Sequence, residues 1–541
     1  MTSVAAAPVN VTMHLRRHAG ESPARVAVRA QDGSEVTFEE LERRSDAIAR
    51  GLRAKGLGHG DRVSLFVHAG PDLIAVTHAL FRLGAVPVLI DPGMGRKSLL
   101  SCVERMQPRA LIAVPRAHVA RLLFPRAFRS VELLVTVGRR VGWGGSTLGE
   151  VERYADEPFD AHPTSADDEA AILFTSGSTG PPKGVTYTHG NFEAQLVALR
   201  DLYDLRPGEV DVACFPLFAL FDNALGMTSV FPAMDPSRPG TCDPAKIVAA
   251  IEESGATFAF GSPAIWRRVL PWMRREVRRF RTLRRLTIAG APVPPQLAQG
   301  LRDLLPEGGD VHTPYGATES LPVASISGAE IAALRPRVEG GAGNCVGRPA
   351  PGAEVRIIAI TDEPLARLSD ARELAPGEHG EICVRGAVVT HEYKHEPGAT
   401  ALAKMHGPDG EVWHRMGDVG YVDAEGRLWF CGRKSHRLET TAGPLFPVPI
   451  ENLFLDLPGV HRAAVVGVGP RGSERPVLII EPEPDARRAD VLARVEARRA
   501  ERGAAAPIEA VLFHGSFPVD VRHNAKIHRL ALKAWAERKL A

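Results

Sequence analysis

The sequence is 541 residues long, more than one ordinary hydrophobic core accommodates, so two or more domains are expected. Its 44% hydrophobic and 24% charged residues are typical of a soluble globular enzyme and exclude a disordered or fibrous protein. The formal net charge of +2 argues against a nucleic-acid partner, and no apolar run reaches membrane-spanning length. The six cysteines form no C-x-x-C pair, which argues against a zinc site or a disulfide framework. We therefore expect a cytoplasmic protein with reduced thiols.

The first part of the chain alternates helical and strand patterns. Residues 37–57 have helical spacing, with Thr37 and Glu40 as a capping box. Strands are predicted at 62–67 and 85–90, on either side of a helix at 72–83 that Gly84 ends. This strand, helix, strand order at these lengths predicts a parallel sheet covered by helices.

The most informative segment is 171–185, AILFTSGSTGPPKGV. A buried strand at 170–174 leads into a loop rich in glycine and hydroxyl groups, and a helix is expected to begin near Asn191. Backbone N–H groups, hydroxyls and Lys183 can surround an anion there. Lys183 does not directly follow the second glycine, so the segment is not a Walker P-loop. The predicted phosphate-binding residues are Thr175, Ser176, Gly177, Ser178, Thr179, Gly180 and Lys183.

Three further strands are predicted at 257–260, at 286–289 and around Val311, and each ends in a turn of small residues. Ligands of open α/β sheets bind at such carboxyl ends. Residues 215–234 are rich in Phe, Leu and Met, which is typical of a core but also of a pocket for an apolar acyl chain. Residues 266–285 contain nine arginines, a pattern that favours the solvated face of a core helix, with a membrane or an acidic partner as the alternative.

The pattern changes after Arg433. Short elements are predicted at 450–457, 463–468, 477–480, 490–502, 509–513 and 527–538, in the order helix, strand, strand, helix, strand, helix. We therefore predict an α/β fold with two domains. Residues 1–433 would form a large domain of helix-covered, mainly parallel sheets, and residues 434–541 a smaller, mobile α+β domain.

Six stretches, in this order, resemble the signature motifs of the adenylate-forming superfamily of acyl-CoA synthetases, peptide-synthetase adenylation domains and luciferases. They are 175–184, 315–319, 380–386, 417–421, 432–434 and 524–526. The resemblance covers nearly the whole chain. It implies an AMP-forming ligase that uses ATP and Mg²⁺, in which a substrate carboxylate attacks the α-phosphate of ATP.

The resemblance also implies a role for each matched residue. The loop ending at Lys183 would hold the β- and γ-phosphates, Tyr315 would stack on adenine, and Asp418 would bind the ribose. The implied catalytic residues are Lys526, Thr318 and Glu319, of which Glu319 would also bind Mg²⁺. The remaining implied nucleotide-binding residues are Gly290, Ala291, Pro292, Gly316, Ala317 and Arg433.

Departures from the motifs narrow the assignment. Ser435 stands at the acidic hinge position of CoA ligases, and Glu439 stands where those enzymes carry a lysine beside the pantetheine tunnel. A carboxylate there reverses a favourable interaction with an anionic cofactor, which argues against CoA transfer.

Segments 218–226, 312–315 and 517–526 resemble the OleC-type β-lactone synthetases of bacterial long-chain olefin biosynthesis. This likeness implies that a 2-alkyl-3-hydroxy fatty acid is activated as its adenylate and closed to a β-lactone by its own hydroxyl.

The hydrophobic acyl substrate is predicted to contact Phe218, Phe221 and Leu225. Two alternatives remain open at this point. One is a long- or medium-chain acyl-CoA synthetase, which would require CoA. The other is a catalytically silent homologue that acts as a scaffold, against which the intact Lys183 and Glu319 argue. Assembly with neighbouring enzymes of the olefin pathway is also left open.

Overall fold

The structure is a computed structural model that describes residues 9–154, 158–175, 181–519 and 527–541. Its strands are β1 (Val26–Arg29), β2 (Glu35–Thr37), β3 (Arg62–Phe66), β4 (Val86–Leu89), β5 (Ala110–Ala113), β6 (Leu133–Thr136), β7 (Ser146–Thr147), β8 (Glu169–Phe174), β9 (Gly184–Thr188), β10 (Val210–Ala213), β11 (Thr228–Val230), β12 (Phe258–Gly261), β13 (Arg285–Ile288), β14 (Asp310–Ala317), β15 (Ser320–Ser327), β16 (Asn344–Pro349), β17 (Glu354–Ile358), β18 (Gly380–Arg385), β19 (Lys404–His406), β20 (Val412–Val422), β21 (Leu428–Arg433), β22 (Leu438–Thr440), β23 (Gly443–Leu445), β24 (Val460–Val468), β25 (Arg475–Pro482) and β26 (Ala510–Phe513). Its helices are α1 (Thr12–Glu21), α2 (Phe38–Ala54), α3 (Pro71–Leu83), α4 (Arg96–Met106), α5 (Pro115–Leu123), α6 (Leu148–Val151), α7 (His189–Tyr203), α8 (Ala219–Ala224), α9 (Pro244–Ser254), α10 (Pro263–Arg275), α11 (Pro295–Arg302), α12 (Gly328–Glu339), α13 (Pro397–Ala403), α14 (Pro447–Asn452), α15 (Arg488–Arg502) and α16 (Arg529–Leu540).

The first sheet has the order β7-β6-β5-β3-β4-β8-β9, and its pairs are parallel except for β8 with β9. The strands and helices predicted between residues 37 and 90 are confirmed, including the capping box of Thr37 and Glu40 on α2. Gly84 ends α3 at a φ of 66°, a left-handed conformation that costs glycine nothing.

The second sheet is mixed and has the order β17-β18-β20-β21-β16-β15-β14-β13-β12-β10-β11-β1-β2, with β19 beside β20. It is parallel from β14 through β1, and antiparallel from β17 to β14. Helix α10 buries Trp266, Val269 and Met273 against the parallel part, while Arg274 and Arg275 are exposed. The predicted solvated helix face accounts only for the first part of the arginine-rich stretch, because α10 ends at Arg275. Arg278, Arg279, Arg281 and Arg284 are exposed in the connection that follows, and Arg285 begins β13.

The small C-terminal sheet has the order β24-β25-β26 and packs with α14, α15 and α16. Each predicted element of this region is present, although α14 lies three residues earlier than predicted because Pro447 begins it. The α/β fold class is thus confirmed, with the antiparallel half of the second sheet added. The division at residue 433 and the mobility of the small domain stay predictions. In the ranges that the structure describes, no helix is both long and apolar enough to cross a bilayer.

Candidate active site

A cleft of about 2260 Å³ lies where the carboxyl ends of both sheets face the small domain. Charged residues predicted to bind nucleotide line this cleft together, although they come from distant parts of the sequence. They are Lys183, Glu319, Asp418 and Arg433. The site is therefore built by the meeting of the sheets rather than by one motif.

The predicted phosphate loop connects β8 to β9 as a hairpin. The amide of Thr175 donates to the carbonyl oxygen of Lys183 at 3.0 Å, and the amide of Lys183 donates to the Thr175 hydroxyl at 3.3 Å. These bonds hold the two ends of the loop together. The sequence did not predict strand β9, and helix α7 follows it from His189, close to the predicted start. The other predicted members of the loop lie outside the described residues: Ser176, Gly177, Ser178, Thr179 and Gly180.

Tyr393 connects the loop lysine to the predicted metal ligand, and sequence reasoning missed it. Lys183 Nζ lies 4.7 Å from the centroid of the Tyr393 ring, a cation–π distance. The Tyr393 hydroxyl donates to Glu319 Oε1 at 2.6 Å. Burial and the neighbouring Glu319 raise the pKa of Tyr393, so its hydroxyl keeps its proton and remains a donor. No spacing or motif in the sequence signals this role.

A second layer beneath Glu319 contains Thr390 and Lys404. The amide and the hydroxyl of Thr390 both donate to the Glu319 carbonyl oxygen at 3.0 Å. Lys404 Nζ donates to the Thr390 carbonyl oxygen and lies 3.4 Å from the Thr390 hydroxyl oxygen. Burial lowers the pKa of Lys404 to about 7, against the opposing influence of Glu319. A lysine in this position could not be distinguished by sequence from an ordinary surface lysine.

The segment from Tyr315 to Thr318 contains a bulge at Gly316 in the pairing of β14 with β15. A side chain on Gly316 would meet the Ser320 carbonyl oxygen at 2.6 Å, so the bulge requires glycine. The Tyr187 hydroxyl donates to the Thr318 carbonyl oxygen at 2.6 Å and fixes the backbone there. The cleft wall here consists of Tyr315, Gly316, Ala317 and Thr318, with Gly290, Ala291 and Pro292 from the turn after β13.

Asp418 is buried opposite Arg433, its partner in the ladder between β20 and β21. The Tyr315 hydroxyl donates to Asp418 Oδ2 at 2.6 Å, and Arg433 Nη1 lies 2.9 Å from Oδ1. Burial raises the pKa of Asp418, and both Arg433 and the Tyr315 hydrogen bond oppose that rise. The predicted adenine and ribose residues are therefore in direct contact.

The predicted hinge, Ser435, is an exposed residue of a short turn at the cleft. The preceding residue is anchored, because Lys434 Nζ lies 2.9 Å from a carboxylate oxygen of the buried Glu381. Lys526 lies outside the described residues. The next residue, Ile527, lines the cleft, as does Arg529 of α16.

The predicted acyl-pocket residues lie behind the cleft wall. Phe218 is buried with its ring centroid 4.1 Å from that of Phe260. Phe221 and Leu225 pack against the hydrophobic clusters around Phe218 and Phe192. Residues of the same stretch that do line the cleft are Phe215, Pro216, Leu217, Ala233 and Met234. The acyl-binding role of the predicted residues stays a prediction.

The cleft suits a nucleotide-bound Mg²⁺ better than a metal held by protein alone. Among the residues that the structure describes, no group of three or more His, Cys, Asp or Glu side chains could hold a metal ion. Mg²⁺ in nucleotide sites is commonly held by one or two carboxylates together with phosphates and water. The Glu319 carboxylate, which lines the cleft near Lys183, fits that arrangement.

The fold and the cleft define an adenylate-forming enzyme. The family described as AMP-binding enzyme matches residues 15–394, and the chain belongs to it. The olefin beta-lactone synthetase of Stenotrophomonas maltophilia (strain K279a) is 48% identical, over 98% of this chain and 99% of that protein. The olefin beta-lactone synthetase of Xanthomonas campestris pv. campestris is 47% identical, over 97% of each chain. The predicted superfamily and the predicted likeness to β-lactone synthetases are confirmed.

Other relatives are more distant. A feruloyl-CoA synthase of an Amycolatopsis species is 31% identical, over 86% of this chain and 87% of that protein. Among solved structures, ATP-bound MatB from Rhodopseudomonas palustris has a TM-score of 0.80 at 22% identity, over 98% of this chain and 100% of that chain. Such a structure supports the fold alone, and it agrees with the sheets and the small domain described above.

Proposed function

We propose that this protein converts a 2-alkyl-3-hydroxy fatty acid and ATP into a β-lactone, AMP and pyrophosphate. The observation that carries the proposal is the 48% identity to an olefin beta-lactone synthetase over nearly the whole of both chains. The cleft supplies the charges that such a reaction requires. Sequence identity to a CoA-forming relative, the feruloyl-CoA synthase, is lower at 31%. An acyl-CoA synthetase is therefore the weaker candidate.

In the first step a substrate carboxylate oxygen attacks the α-phosphorus of ATP, and pyrophosphate leaves. Lys183 neutralises the leaving phosphates, while Thr318 and Lys526 stabilise the charge that develops at the α-phosphate. Asp418 accepts hydrogen bonds from the ribose. Bound at Glu319 and the phosphates, Mg²⁺ would supply further charge neutralisation.

In the second step the 3-hydroxyl oxygen of the substrate attacks its own acyl carbon and forms the ring C–O bond. The acyl–phosphate bond breaks, AMP leaves with its electron pair, and the hydroxyl proton passes to water. Because the nucleophile is tethered, proximity can supply up to roughly 7–11 kcal/mol, against which ring strain is set. No second substrate needs to reach the cleft. The position where CoA ligases carry a lysine is Glu439 here, a carboxylate that is paired with Arg437 at 2.6 Å.

Two apolar walls of the cleft support a substrate with two alkyl arms. One wall comes from the second sheet and contains Leu217 and Phe260. The other contains Leu89 at the end of β4 in the first sheet, with Leu99 of α4 and Phe128 from the turn after α5. We place one arm against each wall. The protein would act in the cytoplasm, beside the enzymes that supply its hydroxy acid and consume its lactone.

The deciding experiment incubates the protein with ATP, Mg²⁺ and a 2-alkyl-3-hydroxy fatty acid, with and without CoA, and identifies the organic product by mass spectrometry. We expect a neutral β-lactone whose yield does not depend on CoA. A thioester that forms only with CoA would overturn the proposal in favour of an acyl-CoA synthetase. Release of no AMP under either condition would favour a silent scaffold.

The role of Lys526 has its own test. We expect Lys526→Ala to lower adenylation by about 10²–10³-fold, or about 3–4 kcal/mol of barrier, while ATP still binds. Pyrophosphate release measures the first step separately from lactone closure. Lys539→Ala, which removes an exposed lysine of the same small domain, is the control. Wild-type pyrophosphate release in the Lys526 variant would exclude that residue from the chemistry.

A further inference from the structure

Helix α5 exposes an apolar stripe that no described residue covers. Val119, Leu122 and Leu123 are exposed by 45%, 55% and 68%. Their spacing of three and four residues places them on one face of the helix. His118 is buried and lies within 3.2 Å of the Val135 carbonyl oxygen, which ties the helix to the first sheet. Contiguous apolar exposure of this kind marks a surface that contacts a membrane or another molecule.

The stripe lies in a strongly basic part of the chain, although the whole protein is nearly neutral. Residues 96–140 contain ten Lys and Arg and only two Glu. Both acids are paired within the stretch, Glu104 with Arg126 at 3.0 Å and Glu132 with Arg109 at 3.1 Å. Acids from outside the stretch pair with Arg105, Arg109 and Arg140, and the remaining basic residues leave it with a net positive charge. The charge around the stripe is therefore complementary to an anionic surface.

The same helix borders the cleft. Ala117 and Ala120 line the cleft on the side where Leu99, Val114 and Phe128 form its apolar wall. One helix thus lies between an exposed apolar stripe and the apolar interior of the site. An acyl chain held in a lipid layer beneath α5 would need to cross little water to reach that wall.

We infer that α5 docks this protein on an anionic lipid surface, with Leu122 and Leu123 among the headgroups and the surrounding arginines against lipid phosphates. Basic amphipathic segments with exposed leucines bind interfaces in this way. The reason for lipid docking rests on the proposed function, since a fatty acid with two alkyl arms is poorly soluble in water. Lipid binding itself requires no turnover, so the two proposals can fail separately.

The test is flotation of the full-length protein with vesicles of phosphatidylcholine alone or of phosphatidylcholine with 30% phosphatidylglycerol. We expect binding to the anionic vesicles that weakens as salt is raised. The double variant Leu122→Ser, Leu123→Ser should lower the bound-to-free ratio about tenfold or more. Leu492→Ser, at an exposed leucine of α15, is the matched control and should bind like the wild type.

Further variants and measurements distinguish lipid binding from the binding of another molecule to the stripe. The reversal Arg126→Glu, Arg129→Glu should abolish the preference for anionic vesicles. Equal binding to both vesicle types, or equal binding by the wild type and the double leucine variant, would overturn the inference. Wild-type self-association that the leucine variant loses, without lipid binding, would assign the stripe to a second copy of the chain instead. Adenylation of a water-soluble short-chain 3-hydroxy acid should be unchanged in the leucine variant, which shows that it folds.

Discussion

The hydroxyl of Tyr393 donates a hydrogen bond to the carboxylate of Glu319 at 2.6 Å. The bond joins the turn between β14 and β15 to the segment between β18 and α13. The Tyr393 ring also lies beneath the ammonium of Lys183. One tyrosine therefore contacts both the cation proposed to bind the leaving phosphates and the carboxylate proposed to bind Mg²⁺. Lys183 and Glu319 belong to separate sequence motifs, and both contact Tyr393, which belongs to neither.

Tyr393→Phe isolates the hydroxyl from the ring. The variant keeps the cation–π contact with Lys183 but loses the hydrogen bond to Glu319, so we expect adenylation to fall about tenfold. The half-saturating Mg²⁺ concentration should rise, measured by ATP–pyrophosphate exchange. Tyr203→Phe, which removes a hydroxyl bonded to Ser325 at 3.2 Å, is the control. An unchanged Mg²⁺ requirement in Tyr393→Phe would contradict the positioning role.

Tyr315→Phe should alter the pH dependence of ATP use. The Tyr315 hydroxyl donates to ionised Asp418 and so opposes the rise in the Asp418 pKa that burial causes. Removing this bond raises the pKa further. The acid limb of kcat/KM for ATP should therefore move to higher pH, while the variant keeps the aromatic ring that is proposed to stack on adenine. Tyr421→Phe, whose hydroxyl bonds to the Ala342 carbonyl oxygen, should leave the profile unchanged. A Tyr315→Phe profile identical to the wild type would separate Asp418 from ATP binding.

Sequence predicted the parts of the site that local chemistry determines. The strand before the phosphate loop, the anion-binding role of Lys183 and the small-residue turns follow from residue type and order. The nucleotide ligands from Tyr315 to Arg433 follow instead from the resemblance of their motifs to the adenylate-forming superfamily, and the structure brings them to one cleft. Tyr393 and Lys404 escaped prediction because their contacts depend on strand pairing far along the chain. The antiparallel half of the second sheet escaped for the same reason.

The acyl pocket shows a different limit of the sequence. The Phe-rich stretch does reach the cleft, but through Phe215 and Leu217, while Phe218 packs inward on Phe260. Which aromatic side chain faces a ligand depends on the short turn before α8. The composition of the stretch cannot show that Leu217 lines the cleft while the adjacent Phe218 packs inward.

A buried pair of acids should make the stability of the large domain depend on pH. Asp211 and Asp222 are both fully buried, and Asp222 accepts a hydrogen bond from the Ser229 hydroxyl at 2.9 Å. Burial raises the pKa of both carboxyls. The folded protein therefore holds protons that the unfolded chain releases above about pH 4, and stability should fall as the pH rises through the folded pKa values.

Asp222→Asn replaces one acid of this pair with a neutral side chain of the same size. We expect its melting temperature to exceed that of the wild type by roughly 2–4 °C at pH 8 and to differ less at pH 5.5. Thermal melts across that range measure the effect, with the exposed Asp201→Asn as control. A variant that loses stability equally at both pH values would show that the pair is ionised in the folded protein.

Lys404→Met should separate activity from stability. The lysine holds Thr390 against the backbone of Glu319, so its loss should lower adenylation about tenfold through a misplaced carboxylate.

Burial lowers the pKa of Lys404 to about 7, so the folded protein binds fewer protons than the unfolded chain between pH 7 and the ordinary lysine pKa. Wild-type stability should therefore gain, from pH 7 to pH 9, an increment that the methionine variant lacks. Pyrophosphate release and thermal melts measure the two effects, with Lys55→Met as control. Equal pH dependence of stability in variant and wild type would show that Lys404 is charged throughout.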